Sequence, residues 1–289
     1  MPEPLRRIAV ATHLADAPTS AALADLARLK SEYGLELLMT ADEAAKHPRE
    51  AALGYECVAD DELGAADLAL VFGGDGTVLR SLGRLLGTGV PTLGVNFGHV
   101  GFLASLTPED WQVSLAPILA GDYATVDLLT VAVELNGDRH CGVNDVVLSR
   151  VAPRHVLHLE YEVSGVTIGR MLCDGMIVAT PSGSTAYNLS CDGPIVVWDA
   201  AVLVLNFIAP HSLAFRPLVL RPDLAITARN VSYAQEAEIM VDGASVGRMR
   251  GGDEVHIRAG ERGARLMLRS QDSFYQNVEE KLFDRKHAR

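Results

Sequence analysis

Cysteine is scarce in this chain of 289 residues, with four in all. Cys57, Cys141, Cys173 and Cys191 are scattered and form no CxxC pair, which argues against structural zinc and for a reduced, cytoplasmic chain. Long apolar runs are missing as well. The longest, from Ala200 to Ala209, is interrupted by Asn206 and falls far short of a membrane span. The stretch Ile8 to His13 that follows the charged N-terminus is too short and polar for a signal-peptide core. Cations are outnumbered, 25 Lys and Arg against 37 Asp and Glu, giving a net charge of −12. That balance speaks against a broad nucleic-acid or anionic-membrane surface, so neither partner is expected. An anionic substrate must then be held locally, by backbone amides, a few arginines or Mg²⁺. Low-complexity tracts are absent too. With 48% hydrophobic and 21% charged residues the composition is globular, enough for one large or two ordinary domains.

The first third alternates strand-like and helix-like segments. Ile8 to Ala11, Leu35 to Met39, Leu68 to Phe72 and Pro91 to Val95 read as strands, and Ser20 to Tyr33 and Val78 to Leu86 as helices. Such repetition implies a doubly wound parallel sheet with ligand at the carboxyl ends of its strands. Beyond Asp122 the texture changes to short alternating runs, among them Thr130 to Leu135 turning at Asn136-Gly137, His158 to Val163 and Glu254 to Arg258. These read as antiparallel strands. The expected fold class is therefore α/β plus all-β: an α/β domain over residues 1–121, a β-rich domain over 122–270, and a helical segment 271–289 that packs back on the first domain.

Two segments carry chemistry. Phe72-Gly73-Gly74-Asp75-Gly76-Thr77 stands where a buried strand stops and a helix begins. Glycines there let backbone N–H groups approach a phosphate, and the helix N-terminus favours negative charge. An aspartate repels phosphate, so Asp75 has another purpose, either accepting a proton or holding a metal ion. A tight turn with a helix cap is the plainer reading of the same residues. The second segment, Asp174 to Tyr187 and on through Gly193-Pro194, combines hydroxyls, small residues, an acid and a tyrosine. It suits close backbone approach to a ribose or phosphate, and equally a polar turn capping a helix at Ser184 or Thr185. His99 and His211 have no His or Cys companion at metal spacing and read as structural histidines.

GGDGT together with Thr180-Pro181-Ser182-Gly183-Ser184-Thr185-Ala186-Tyr187, with Gly94-Val95-Asn96, Gly101-Phe102-Leu103 and Asn144-Asp145 between them, resembles the NAD kinase family over roughly Leu68 to Asp242. The resemblance implies an α/β domain followed by a β domain, assembled as a homodimer or homotetramer. It also implies transfer of the terminal phosphoryl group of ATP to the 2′-hydroxyl of the adenosine ribose of NAD, with Mg²⁺. Asp75 would accept the hydroxyl proton, Gly76 would let the backbone approach the dinucleotide, and Arg80 would neutralise phosphate. Asn144 and Asp145 would bind the adenosine portion and Asp174 the nicotinamide end. Thr185, Ala186, Tyr187, Asn188, Leu189 and Ser190 would wrap the nucleotide. A basic residue is usual near Arg154 or His155, of which His155 is taken as the site residue. Leu172 stands where the family commonly has Arg or Lys, which puts contacts near the nicotinamide in question. GGDGT alone is shared with lipid kinases, so a lipid or small-molecule kinase is one alternative and a non-catalytic dinucleotide-binding regulator another. Inorganic polyphosphate presents the same terminal phosphate as ATP, and the residues do not choose between the two.

Overall fold

Apolar runs without polar alternation require burial on both faces, and the first unit of the chain supplies it. The computed structural model describes residues 5–13, 16–97, 101–135, 137–152, 155–261, 263–270 and 273–283. It divides into two units, one made of residues 1–127 and 264–289 and the other of residues 128–263. In the first, strands β1 (Arg7–Thr12), β2 (Glu36–Thr40), β3 (Glu56–Val58), β4 (Leu68–Phe72) and β5 (Pro91–Val95) lie in the order β3-β2-β1-β4-β5, all parallel. Alternate residues face opposite ways, so Ile8, Leu37, Leu68, Leu70 and Phe72 join one core cluster while Ala9, Leu38 and Ala69 join another. Helices α1 (Ala17–Tyr33) and α5 (Trp111–Leu119) cover the first face through Leu23, Leu26, Trp111 and Leu115. The 3₁₀ turn Asp60–Ala65 and the end of helix α4 (Asp75–Arg84) cover the second through Leu63 and Leu85.

Helix α1 starts three residues before the expected Ser20, because Asp16 caps it by accepting from the Thr19 N–H at 2.9 Å and Pro18 sits in its first turn. Gly34 ends it in the left-handed conformation, φ 65°. Helix α4 begins at Asp75 itself, earlier than the apolar periodicity from Val78 suggests.

The outer edge of β5 is shared. Strand β6 (Ala104–Leu106) pairs with Gly94 and Val95, and the strand Ala264–Leu268 pairs with Pro91 and Thr92, followed in the sheet by β7 (Ala124–Leu128). The boundary between units therefore falls a strand later than the expected Asp122, and the return to the first unit comes at Ala264 rather than beyond Ser270. Both strands have the short apolar texture of the β-rich region, and only long-range pairing with β5 assigns them. The C-terminal helix α7 (Ser273–Val278) and the π-helical turn Glu279–Phe283 also belong to the first unit.

The second unit is a pair of antiparallel sheets. One runs Leu218–Leu220, Leu203–Ile208, Gly175–Ala179, Asp145–Arg150, Ala237–Val241, Ala244–Met249. The other runs Val166–Cys173, Leu157–Val163, Ile226–Asn230, Glu254–Ala259, Val131–Leu135, Asp138–Gly142. Val146, Met176, Leu205 and Ile239 of the first meet Val133, Leu159, Ile226 and Ile257 of the second in one buried cluster. The other face of Gly175–Ala179 is buried as well, its Ile177 and Ala179 packing with Cys191 and Val196 of the segment that follows. Most of the longest apolar stretch of the sequence is thus the strand Leu203–Ile208, second from the edge of its sheet. The expected turn at Asn136-Gly137 includes Asn136, which lies outside the described residues.

Candidate active site

In the first unit everything converges on Asp75. Gly74 precedes it in an extended conformation with no side-chain cap, so the carboxylate of the first helical residue is free to turn toward the neighbouring strand. There it accepts three backbone N–H groups: Phe102 to Oδ2 at 2.7 Å, Leu103 to Oδ1 at 2.9 Å and Ala104 to Oδ1 at 3.4 Å. Glycines make the approach possible. A Cβ on Gly94 would lie 2.8 Å from the Ala104 Cα, and one on Gly101 would lie 1.9 Å from Asp75 Oδ1. No other residue fits at either place without moving the cradle. A carboxylate offers about four acceptor positions, so the three amides leave about one for a ligand hydroxyl.

The C-terminal segment completes this surrounding. Lys281 Nζ lies 4.0 Å from Asp75 Oδ2 and 4.3 Å from the centre of the Phe102 ring, and Asn277 Nδ2 donates to the Phe102 carbonyl at 2.8 Å. Neither residue was anticipated, since both stand some 200 positions from Asp75 in a stretch without motif. Gly76 and Arg80 are exposed on α4. Arg80 lines a cavity of about 190 Å³ together with Thr12, Glu43, Lys46, Thr77 and Arg84. Beside it a buried polar network ties β1 to the helix Ala41–Lys46: Thr12 Oγ1 donates to Glu43 at 2.7 Å and Lys46 pairs with the same carboxylate at 2.7 Å. His99 lies outside the described residues.

The second unit gathers most of the remaining candidates at one end of the strand Asp145–Arg150. Asn144 forms the turn into that strand, and its shape is set by Asp242, which the sequence reading missed. The Asp242 carboxylate accepts from the N–H groups of Val143, Asn144 and Asp145 at 2.7, 2.7 and 3.1 Å. Asp145 is 5% exposed, and burial, reinforced by Asp242, pushes its carboxyl up to about 7. Burial likewise raises Asp242, against the opposing pull of its three amides. Asn144 Oδ1 is buried and, among the described residues, has no hydrogen-bond partner. A buried acceptor left unpaired is costly, and it marks a place where a ligand donor fits.

The Thr180 to Tyr187 segment lies directly on this turn. Thr180 and Ser182 donate to the Val143 carbonyl at 2.6 and 2.9 Å, and a Cβ on Gly183 would sit 2.0 Å from the Asn144 carbonyl oxygen. Ser182–Thr185 is a 3₁₀ turn and Tyr187–Ser190 a single helical turn with Ala186 at its N-cap and no side-chain cap, so neither Ser184 nor Thr185 caps a helix as the plainer reading expected. Ala186 is half-buried with Thr185 and Leu189, while Tyr187 and Ser190 are exposed. Asn188 is different. Its side chain is fully buried, donating to the Ser184 and Pro194 carbonyls and accepting from Asn206 at 3.1 Å, so it orders the loop and has no surface to offer a nucleotide. Asp192 adopts φ 57°, a conformation aspartate tolerates better than most residues.

Asp174 sits at the far end of the same strand pair, where Arg150 holds it in an ion pair at 2.9 Å. Five residue steps, about 17 Å, separate it from Asp145. Tyr187 bridges the two electrostatically: burial first, then Cys191, Asp174 and Asp145, raise its phenol. His155 is exposed in the loop that leaves the strand at the Arg150 end; Arg154 lies outside the described residues. Leu172 is exposed on the edge strand Val166–Cys173, and His211, also exposed, donates its backbone N–H to the Leu172 carbonyl at 2.8 Å. No group of three or more His, Cys, Asp or Glu among the described residues is arranged to hold a metal ion.

Residues 14–123 match the family model described as the ATP-NAD kinase N-terminal domain, and residues 143–268 match the ATP-NAD kinase C-terminal domain. Among curated relatives, the chain is 36% identical over 223 residues to the NAD kinase of Geobacter sulfurreducens, covering 75% of this chain and 78% of that one. It is 36% identical over 219 residues to the NAD kinase of Methanothermobacter thermautotrophicus, covering 76% and 77%. With the NAD kinase of Polaromonas naphthalenivorans it shares 34% over 274 residues, 90% of each chain. Among solved structures, yeast NADH kinase complexed with NADH superposes with a TM-score of 0.88 at 21% identity, over 98% of this chain and 89% of the other. An NAD kinase from Archaeoglobus fulgidus in complex with ATP gives 0.73 at 24% identity, over 94% and 98%. At those identities the two structures speak for the fold.

Proposed function

Because the chain belongs to the NAD kinase family, we propose that Asp75 receives the proton of the 2′-hydroxyl of the adenosine ribose as the terminal phosphoryl group of ATP is transferred to NAD, giving NADP. The observation that carries this reading is the amide cradle, which fixes both carboxylate oxygens and leaves about one acceptor position. Phosphoryl transfer depends on positioning and charge neutralisation, with the attacking oxygen in line with the leaving oxygen. A rigid carboxylate orients the hydroxyl. As the new P–O bond forms and the bond to the ADP oxygen breaks, the hydroxyl proton passes to Asp75.

Each of the other candidates has a role within its own unit. Gly76, with no side chain at the start of α4, leaves the backbone open to the dinucleotide. Arg80, beside Lys46 and Arg84 in the cavity, meets phosphate charge. Asn144 offers its unpaired amide oxygen, and Asp145 its carboxyl, to the adenosine end of NAD. Tyr187, Thr185, Ala186, Leu189 and Ser190 form the surface against which the nucleotide packs, with Asp174 toward the nicotinamide and His155 as the basic residue of the exposed loop beyond Arg150. Asn188 acts from beneath, by holding the loop. Mg²⁺ carried by the donor's phosphates would offset their charge. A cytoplasmic homodimer or homotetramer is the assembly we assign to it, and no helix among the described residues is long and apolar enough to cross a membrane.

The test is NADP formation by purified protein with ATP, Mg²⁺ and NAD. Asp75→Asn is expected to lower kcat on the order of 10²- to 10⁴-fold while calorimetric NAD binding persists. Wild-type rates in that variant would remove Asp75 from the chemistry. Parallel assays with polyphosphate and with NADH decide the donor and the redox form of the acceptor.

A further inference from the structure

Phe102 is held at three points. Its N–H donates to Asp75 Oδ2 at 2.7 Å, its carbonyl accepts from Asn277 at 2.8 Å, and its ring lies under the Lys281 ammonium at 4.3 Å. The same ammonium stands 4.0 Å from Asp75 Oδ2. Two residues of the C-terminal segment thus grip the residue that grips Asp75. Phe102 is 3% exposed, so its ring is a firm platform, and a cation over an aromatic face loses little freedom when it also meets a carboxylate.

We propose that Lys281 is a positioning residue for phosphoryl transfer: stacked on Phe102, it faces Asp75 Oδ2, the oxygen that carries the remaining acceptor position, and so fixes the side from which the ribose hydroxyl reaches it. The proposal rests on Asp75 being the proton acceptor. Two features distinguish this arrangement from an ordinary surface ion pair. Lys281 is only 28% exposed at its side chain, and its carboxylate partner is already immobilised by three amides, so the ammonium acts on a group with one geometry rather than a flexible one. Its charge also faces the oxygen that would otherwise be drawn toward any cation accompanying the donor.

Because Lys281 acts through Asp75, its loss should change turnover and leave binding alone. In Lys281→Met, kcat is expected to fall on the order of 10-fold with the KM for NAD within twofold of wild type, and Lys281→Arg should recover most of the loss. Asn277→Ala, which frees the Phe102 carbonyl, should show a smaller fall in kcat with the same unchanged KM. In an Asp75→Asn background Lys281→Met should produce no further fall, because the two residues act as one unit. A kcat within twofold of wild type in Lys281→Met, or an equal loss with and without Asp75, would overturn the proposal. If Asp75→Asn alone retains wild-type turnover, the failure lies in the reading of Asp75 instead.

Discussion

At the scale of single residues, the close approach of Gly101 to Asp75 sets a sharp limit. A methyl group there would overlap the carboxylate oxygen, so Gly101→Ala must rotate Asp75 or push the 102–104 amides away. Displacing a reacting group by about 1 Å costs on the order of 10²-fold in rate, and that loss in kcat, at a melting temperature within a few degrees of wild type, is expected for Gly101→Ala. Asp145 makes a different kind of prediction. Its carboxyl titrates near 7 in the folded chain and near 3.8 when unfolded, so the folded state keeps its proton longer. Stability from this group is therefore full below pH 4 and is lost as pH rises from 4 through 7, by on the order of a few kcal/mol. Asp145→Asn should raise the melting temperature at pH 8.5 and leave it nearly unchanged at pH 3. The same variant should raise the KM for NAD. A buried acid that destabilises the fold at neutral pH fits the proposed contact with NAD, and the rise in KM is the measurement that checks it.

At the scale of elements, the contact of the 182–185 turn with the Asn144 turn is backbone against backbone. Gly183→Ala would force these turns apart and is expected to raise the KM for NAD at least tenfold while lowering the melting temperature, read from the same preparation by kinetics and calorimetry. Helix α1 offers a simpler case: Asp16→Ala removes its cap and should cost about 1 kcal/mol in urea unfolding without changing kcat. These elements also show what the sequence made legible. The strands Leu68–Phe72 and Pro91–Val95 were readable to the residue because burial on both faces leaves a mostly apolar run, closed by Gly73 in the first and opened by Pro91 in the second. Asp75 was readable from its place between strand and helix. The cradle around it was not, since it is made of backbone N–H groups, which every residue has. Asp242, Asn277 and Lys281 act across 97, 175 and about 200 positions of chain, and nothing local marks them. Asn188 was expected to contact the nucleotide only because the family resemblance runs through 185–190, and a one-residue step along a helical turn buries its side chain.

At the scale of the whole molecule, the first unit is interrupted and the second is continuous. The chain leaves the parallel sheet after β7 and returns to it only with Ala264–Leu268, whose Leu266 and Met267 are fully buried. A fragment of residues 128–263 should therefore give a β-type circular dichroism spectrum and a cooperative melt. Residues 1–127 alone, lacking the strand that seals β5, should aggregate or fail to melt cooperatively; a sharp transition in that fragment would count against the sheet order. This interruption also sets a timetable. On the ribosome, β5 emerges roughly 170 residues before the strand that completes its edge, a wait on the order of ten seconds or more at ordinary rates of synthesis. The later half of the chain can finish folding while the earlier half is still waiting. Lys281 emerges after both, so a nascent chain holds Asp75 in its cradle before it gains the side chain that tunes it, and activity should be the last property a newly made molecule acquires.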